Sequence, residues 1–259
     1  KDLLNQTENT QPAIFLVSYA IFKVIKNEKL FDIDKANFFA GHSLGEYSAL
    51  ACSNAINFQE TLKLLKIRGN AMQNAVPKNE GGMVAVLGED IINLERLINK
   101  NKNIFNCFIA NDNSNGQVVI SGKLTDLNKF IEELNKTNIK NIKLPVSAPF
   151  HCILMRPATE IMRSVIKGIK FEVPNQTIVS NVNAKPSNDI EEIKNLLVEQ
   201  IEKPVRWRES IINMIHSGNN KFIEIGPGKV LSGLIKRIDR NVKTYQVTNL
   251  DDLQNLKDL

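Results

Sequence analysis

Apolar residues recur along the chain with spacings that change from helical to strand-like and back. The segment 11–26 has helical spacing and opens with Pro12, which we expect in the first turn, where a missing N–H is tolerated. Asn37–Ala40 follows as a short apolar strand, and a helix of small residues ends near Ala55. A second helix is predicted over residues 57–76.

Between Pro77 and Pro145 the pattern follows the order strand, helix, strand, strand, helix, strand. The predicted strands are Met83–Leu87, Phe105–Ala110, Val118–Ser121 and Ile142–Leu144, and the helices are Ile91–Lys100 and Thr125–Lys136. This order is that of a ferredoxin-like fold. We therefore predict an inserted α+β subdomain of residues 78–145.

Beyond Pro145, helices and strands alternate to the end of the chain. The predicted strands are Thr177–Val182, Phe222–Ile225 and Thr244–Val247, and the predicted helices include Ile190–Ile201 and Arg208–Ser217. Alternation of this kind implies a mainly parallel α/β sheet. The predicted fold class is therefore α/β, with residues 1–77 and 146–259 forming one large domain that the insert splits.

Composition narrows the class of protein. The 259 residues are 42% hydrophobic with a net charge of +5, which is enough apolar material for a substantial core. No apolar run approaches the roughly 18 to 20 residues of a membrane span, so we expect a soluble protein with no membrane partner. Lysines and arginines do not cluster with aromatic residues, which argues against nucleic acid. A diffuse positive field suits an acidic protein partner or a phosphate-bearing cofactor.

Three cysteines and three histidines limit the metal and redox chemistry. The cysteines have no paired spacing, so reduced thiols are expected in a cytosol-like compartment, either cytoplasm or plastid. No histidine stands at metal-ligand spacing from another histidine or from a cysteine pair. We predict no metal site and no bound cofactor.

The segment Gly41-His42-Ser43-Leu44-Gly45 is a Gly-x-Ser-x-Gly motif between a predicted strand and a predicted helix. The turn is sharp enough that side chains two positions either side of the serine are expected to collide, so both glycines are predicted to be required. Such a turn presents Ser43 Oγ outward at a helix N-terminus, where backbone N–H groups stabilise an oxyanion. The alternative is a tight turn with an incidental serine.

A serine nucleophile needs a base, and His151 is the candidate. It lies in the apolar, proline-stiffened segment Ser147–Cys152 at the start of a helix, whereas His216 lies in an amphipathic helix and is expected at the surface. The alternative for His151 is a structural histidine with satisfied hydrogen bonds.

Arg68 lies within an apolar stripe. Leu64, Leu65, Arg68 and Met72 share one face of the helix, for which Asn57 and Glu60 have the spacing of an N-terminal cap. A buried arginine is costly unless an anion meets it. An internal ion pair, a snorkelling side chain or a carboxylate-bearing substrate each meet that condition.

Six segments together resemble malonyl-CoA:acyl carrier protein transacylases of bacterial-type fatty acid synthesis, in order and over essentially the whole chain. They are GHSLGEYSAL (41–50), KIRGNAMQNAVP (66–77), NSNGQVVISG (113–122), LPVSAPFHC (144–152), KPVRW (203–207) and EIGPGKVLSGL (224–234). The resemblance implies a split hydrolase-like α/β domain with a ferredoxin-like insert, which agrees with the pattern above.

The resemblance also implies a role for each matching residue. Ser43 is the acylated nucleophile, His151 its base and the Leu44 N–H an oxyanion donor, while the Gln200 carbonyl orients the histidine in place of a triad aspartate. The other implied site residues bind or surround the substrate: Arg68 at the malonyl carboxylate, Asn111 and Asn113 on an insert loop facing the cleft, His42 lining the pocket, and Phe150 where a methyl branch would meet it.

The resemblance is incomplete at its beginning. The family starts with a strand and a Gly-Gln-Gly-Ser-Gln turn, whose glutamine N–H supplies a second oxyanion donor, and no such motif is present here. Losing one donor typically costs about 10² to 10³ in kcat. Either that segment lies outside these 259 residues, or folding and activity are impaired.

The implied function is transfer of a malonyl group from malonyl-CoA to the phosphopantetheine thiol of acyl carrier protein through an acyl-serine, with ping-pong kinetics, by a monomer. Three alternatives stay open. They are a serine esterase or thioesterase, a polyketide synthase-type acyltransferase domain, and a non-catalytic carrier-binding remnant.

Overall fold

The structure, a computed structural model, describes residues 2–28 and 32–256. Its helices are α1 (Thr7–Glu28), α2 (Leu44–Cys52), α3 (Phe58–Asn74), α4 (Ile91–Lys100), α5 (Leu124–Lys136), α6 (Arg156–Lys167), α7 (Ile190–Glu199), α8 (Trp207–His216) and α9 (Val230–Ile238). Its strands are β1 (Phe38–Ala40), β2 (Gly81–Leu87), β3 (Cys107–Ser114), β4 (Gln117–Lys123), β5 (Lys140–Lys143), β6 (Thr177–Val179), β7 (Pro186–Ser187), β8 (Lys221–Ile225) and β9 (Lys243–Val247).

The α/β fold class is confirmed. Strand β1 pairs in parallel with β6, and β8 pairs in parallel with β9. The short strand β7, which the sequence pattern did not predict, adds to β6 in an antiparallel direction. The strands form a three-stranded and a two-stranded sheet that do not pair with each other. Strand β6 ends at Val179 rather than Val182, because the chain turns there towards the active-site residues described below.

Residues 81–143 form a separate four-stranded sheet in the order β3-β4-β2-β5, with every neighbouring pair antiparallel. Helices α4 and α5 cover it, and Leu94, Phe105 and Phe130 are buried in a cluster formed entirely by this part of the chain. The predicted ferredoxin-like order of elements is therefore present, although the boundaries 78–145 stay a prediction. Strand β3 ends four residues later than predicted. Val205 pairs with its C-terminal half through hydrogen bonds to Ala110 and Asp112.

The predicted start of α1 was wrong. The helix begins at Thr7, so Pro12 lies inside it and not in its first turn. The earlier turn has a local support, since Thr10 Oγ1 donates to Leu4 O and Gln6 O at 2.5 and 3.0 Å. Pro12 has no N–H for the Glu8 carbonyl four residues before it, so one helical hydrogen bond is lost there and the ring crowds that carbonyl.

Helices α1 and α3 approach each other closely at Gly69. A Cβ on Gly69 would lie 2.5 Å from Glu8 Cα and 2.8 Å from Thr7 O, so no larger residue fits without a backbone shift. This approach brings Gln11 of α1 next to Arg68 of α3. The extra first turn of α1 therefore packs on α3, and Gln11, which follows that turn, contacts Arg68.

The largest apolar cluster of the described residues joins α1, α2, α3, α6 and α7 beneath the three-stranded sheet. Its fully buried members include Phe15, Tyr47, Leu64, Leu65 and Met155. In the described part of the chain, no helix combines the length and the apolar character needed to cross a bilayer.

A cavity of about 760 Å³ separates β1 from β8. It is lined by both strands and by apolar side chains that include Phe22, Ile33 and Ile211. Ser43, Arg68 and His151 are not among the lining residues, although His42 and Leu44 on either side of Ser43 are.

Candidate active site

Ser43 lies at the turn between β1 and α2 and caps that helix with φ 52° and ψ −107°. A non-glycine residue in this conformation is strained, typically by about 1 to 3 kcal/mol. The turn depends on Gly41, because a Cβ there would lie 2.0 Å from both the carbonyl carbon and the oxygen of Gly45. The Gly-x-Ser-x-Gly motif thus forms the sharp turn that its sequence predicts.

The prediction that both glycines are required was wrong for Gly45. A Cβ on Gly45 would have no heavy atom within 4 Å. Gly45 is the second residue of α2, and the helix directs its missing side chain away from the turn that Gly41 closes. Steric crowding is therefore one-sided, since the backbone of Gly45 is the obstacle and Gly41 is the residue that must stay small.

Ser43 Oγ lies 2.8 Å from His151 Nε2, and His151 Nδ1 lies 2.8 Å from the Gln200 carbonyl oxygen. A carbonyl only accepts, so Nδ1 carries the proton and Nε2 is free to accept from the serine hydroxyl. His151 is buried and has φ 59°, a left-handed conformation that aims its ring at the turn. His216, in contrast, is exposed.

Burial and, to a smaller extent, the positive charge of Arg68 together lower the pKa of His151 to about 3. The hydrogen bond to the Gln200 carbonyl acts in the opposite direction. The imidazole is therefore neutral at physiological pH and able to accept a proton.

Arg68 is 1% exposed, and the whole stripe of Leu64, Leu65 and Met72 around it is buried. Its Nη1 donates to Gln11 Oε1 at 2.6 Å, while its Nη2 donates to Gln200 Oε1 at 2.9 Å and to Ser43 Oγ at 3.1 Å. A snorkelling side chain is excluded by this burial. None of the ion pairs found among the described residues includes Arg68, so its hydrogen-bond partners are all neutral, and the Glu46 carboxyl acts on the guanidinium only through its charge.

The backbone N–H groups at the turn have different partners. The Ser43 N–H donates to Asn181 Oδ1 at 2.7 Å. The Leu44 N–H is the first of α2 and donates none of the hydrogen bonds found in the described residues. It is therefore available at the positive end of the helix for a developing negative charge.

The remaining predicted residues surround this centre. His42 Nε2 lies 2.8 Å from Asn113 Oδ1, and its ring packs 5.6 Å from that of Trp207, but His42 also lines the cavity between β1 and β8. Asn111 is buried in β3, where it pairs with Val205. Phe150 precedes His151 and packs on an apolar cluster of β2, β3 and β4.

Three residues at the site were missed by sequence reasoning: Gln11, Glu46 and Asn181. Gln11 holds Arg68, Asn181 holds the Ser43 N–H, and Glu46 accepts hydrogen bonds from Asn181 and Gln200. A signal existed only for Glu46, an acidic residue expected to be buried in the small-residue helix that follows Ser43. Among the described residues no group of three or more His, Cys, Asp or Glu side chains is arranged to hold a metal ion.

Comparison with known proteins agrees with this geometry. The acyl transferase domain model matches residues 1–251. The malonyl CoA-acyl carrier protein transacylase of Bacillus subtilis (strain 168) is 39% identical over 254 residues, which are 97% of this chain and 78% of that protein. The solved acyl-carrier-protein-S-malonyltransferase of Bartonella henselae superposes with a TM-score of 0.94 at 39% identity, over 98% of this chain and 81% of that chain.

A malonyl-transacylase solved in complex with its type II PKS acyl-carrier protein is also similar. Its TM-score is 0.93 at 37% identity, over 99% of this chain and 83% of that chain. The fold and the nucleophile turn are those of an acyl-transferring enzyme. The chain belongs to the acyl transferase domain family, which confirms the resemblance drawn from its sequence.

Substitution of the two glycines should have opposite effects on stability. Gly41→Ala should unfold the turn or abolish soluble expression, because its Cβ would overlap the backbone of Gly45. Gly45→Ala should fold with an unchanged or higher Tm, since alanine in a helix is more favourable than glycine by up to about 1 kcal/mol. Thermal unfolding followed by circular dichroism measures both. Equal destabilisation by the two variants would contradict the one-sided crowding.

The pH dependence of acylation should reveal the depressed pKa of His151. Wild-type acylation of Ser43 by acetyl-CoA should stay on its plateau as the pH falls through 6.5, the ordinary pKa of histidine. Arg68→Met removes a positive charge near the ring, so its acid limb should move to higher pH. Initial rates of acyl-enzyme formation between pH 5 and 8 test this. A wild-type acid limb centred near pH 6.5 would contradict it.

Proposed function

We propose that this chain transfers a malonyl group from malonyl-CoA to the phosphopantetheine thiol of an acyl carrier protein in fatty acid biosynthesis. The observation that carries the proposal is the buried guanidinium of Arg68, 3.1 Å from Ser43 Oγ and held by neutral groups. A nucleophile beside an unpaired buried cation suits an acyl group that ends in a carboxylate.

The first half-reaction forms an ester on Ser43. His151 Nε2 accepts the hydroxyl proton as Ser43 Oγ attacks the thioester carbonyl, and the Leu44 N–H donates to the resulting oxyanion. The tetrahedral intermediate collapses, the bond to sulfur breaks, and His151 returns the proton to the departing coenzyme A thiol. Malonyl-Ser43 remains.

The second half-reaction runs the same steps in reverse with a different thiol. His151 takes the proton of the phosphopantetheine thiol, its sulfur attacks the Ser43 ester, and the proton returns to Ser43 Oγ. Because coenzyme A leaves before the carrier protein reacts, the kinetics are ping-pong. The enzyme needs no bound cofactor for these steps, and malonyl-CoA is a substrate.

Arg68 supplies the specificity for malonyl groups. Burial of its charge costs several kcal/mol unless hydrogen bonds and an anion offset it. The neutral partners Gln11, Gln200 and Ser43 satisfy part of the guanidinium, while its Nε has no hydrogen-bond partner in the described residues. A substrate carboxylate completes the set, whereas an acetyl group leaves the charge unmatched.

Phe150 and the two insert asparagines define the rest of the substrate site. Phe150 stands immediately before His151, where its ring would meet a methyl branch on the acyl chain. Asn113 holds His42 beside the nucleophile turn. Asn111 is fixed at the junction of the insert with Val205, which keeps β3 facing the cleft.

The proposed partner is an acyl carrier protein, which is the second substrate. The enzyme is proposed to act as a monomer. A similar malonyl-transacylase was solved with its acyl-carrier protein, and the net charge of +5 favours an acidic partner. The three cysteines are unpaired, which suits a reducing compartment such as the cytoplasm.

An intact-mass measurement tests the proposed acyl-enzyme. Brief exposure to malonyl-CoA should add one malonyl group to the wild type and none to Ser43→Ala, because the alanine has no nucleophile. Addition of holo acyl carrier protein should remove the group from the enzyme and load the carrier.

Three results would contradict this proposal. Steady release of free malonate without a carrier thiol would indicate a hydrolase. A folded enzyme that never acquires the malonyl group would indicate a non-catalytic carrier-binding protein. Equal loading from methylmalonyl-CoA would favour a polyketide-type acyltransferase.

Arg68→Ala should separate malonyl from acetyl transfer. The variant loses the charge that pairs with the malonyl carboxylate, so kcat/KM for malonyl-CoA should fall by about 10²-fold or more, and that for acetyl-CoA by much less. Rates of Ser43 acylation by the two thioesters give the ratio. An equal loss for both substrates would show that Arg68 does not bind the carboxylate.

A further inference from the structure

Glu46 is 1% exposed and lies three residues after the nucleophile, in the first turn of α2. One of its oxygens, Oε2, accepts two hydrogen bonds, from the Asn181 N–H at 3.0 Å and from Gln200 Nε2 at 2.7 Å. Glu46 has no hydrogen bond to the Ser43 or His151 side chain in the described residues. The mechanism above gives it no role.

Asn181 connects Glu46 to the strained backbone of Ser43. Its Oδ1 accepts the Ser43 N–H at 2.7 Å, and its Nδ2 donates to the Gly41 carbonyl at 2.8 Å. One amide therefore clamps the turn at two points, both on the N-terminal side of the residue whose φ is 52°. Strained conformations persist only where the surroundings determine them strongly, and Glu46 fixes the backbone that carries this clamp.

Gln200 connects Glu46 to Arg68. Its Nε2 donates to Glu46 and also to the Ser43 carbonyl at 3.0 Å, which leaves Oε1 to accept from Arg68 Nη2 at 2.9 Å. A reversed amide would direct its NH₂ group at the guanidinium, and two donors would then face each other. The acceptor oxygen of Glu46, at the shorter distance, therefore selects, together with the Ser43 carbonyl, the amide orientation that holds Arg68 in place.

We propose that Glu46 is the positioning residue of this site, which acts through Asn181 on the Ser43 backbone and through Gln200 on the Arg68 side chain. The inference rests on the proposed function, since its readout compares malonyl with acetyl transfer. Burial raises the pKa of Glu46. Both hydrogen bonds use the same oxygen, so that oxygen accepts them whether or not the carboxyl is protonated.

The test uses a pair of substitutions at position 46. Methionine has a similar shape to glutamate and no strong acceptor. Glu46→Met should therefore lose the hydrogen bond to the Asn181 N–H and the hydrogen bond to Gln200 Nε2. Glu46→Gln keeps a carbonyl oxygen at the Oε2 position and should restore most of the activity that Glu46→Met loses. Malonyl transfer by the wild type is measured first. Single-turnover acylation of Ser43 by malonyl-CoA and by acetyl-CoA is then followed by intact mass in each variant.

Glu46→Met should lower acylation by both thioesters, with a loss of about 10²-fold for malonyl-CoA and a smaller loss for acetyl-CoA. Substitutions in the two arms should separate these effects. Asn181→Ala should slow both thioesters to a similar extent, because its main contacts are to the Ser43 turn and its contact with Gln200 Nε2, at 3.3 Å, is the longest that this NH₂ group makes. Gln200→Met keeps the backbone carbonyl that holds His151 but loses the contacts to Arg68 and to the Ser43 carbonyl, so it should slow malonyl transfer more than acetyl transfer.

An unchanged malonyl-to-acetyl ratio in Glu46→Met would overturn the proposal, and so would a Glu46→Gln variant as impaired as Glu46→Met. If Glu46→Met does not fold, as judged by near-ultraviolet circular dichroism, Gln200→Met decides, and a wild-type ratio there overturns the proposal. Absence of malonyl transfer in the wild type would instead refute the proposed function.

Discussion

The buried guanidinium of Arg68 is the constraint that the rest of the site has to satisfy. A fixed positive charge in an apolar stripe is tolerated only with hydrogen-bond acceptors on several sides. Here the acceptors come from three distant parts of the chain, Gln11, Ser43 and Gln200. The close approach of α1 and α3 at Gly69 supplies the first of them. The contact between α1 and α3 therefore both packs the two helices and supplies an acceptor for the buried charge.

The two reacting residues are among the six non-glycine residues of the described chain that have positive φ. Ser43 and His151 both have positive φ, 52° and 59°, although neither is a glycine. Each is held by amide or carbonyl groups from outside its own segment, Ser43 by Asn181 and His151 by the Gln200 carbonyl. Strain of this kind stays at functional sites because the surrounding hydrogen bonds leave no relaxed alternative. The geometry of the nucleophile thus depends on residues after position 180, far along the chain.

Much of the fold and part of the site could be predicted from sequence. The strand-turn-helix around Ser43, the βαββαβ insert and the buried stripe of Arg68 each follow from local periodicity or spacing. Asn181 could not be predicted, because 138 residues separate it from the backbone that it holds and no local pattern marks it. The need for glycine at position 45 was overestimated. The motif places a glycine two residues before and two residues after Ser43, but only position 45 lies in a helix, where a side chain points away from the turn. Pro12 was misplaced because the earlier turn is supported by the Thr10 hydroxyl, a local side-chain contact that apolar spacing does not reveal.

Gln200 joins specificity to reactivity, since its side chain holds Arg68 while its backbone carbonyl holds His151. The charge of Arg68 is also one cause of the low pKa of His151. A malonyl carboxylate bound to Arg68 would neutralise much of that charge and so raise the pKa of His151 from about 3 towards its ordinary value. Burial, the larger cause, would still keep the pKa of His151 below its ordinary value, so the ring would stay neutral while its basicity rises. An acetyl group would leave the charge of Arg68 in place, so the two substrates would differ in proton transfer as well as in binding.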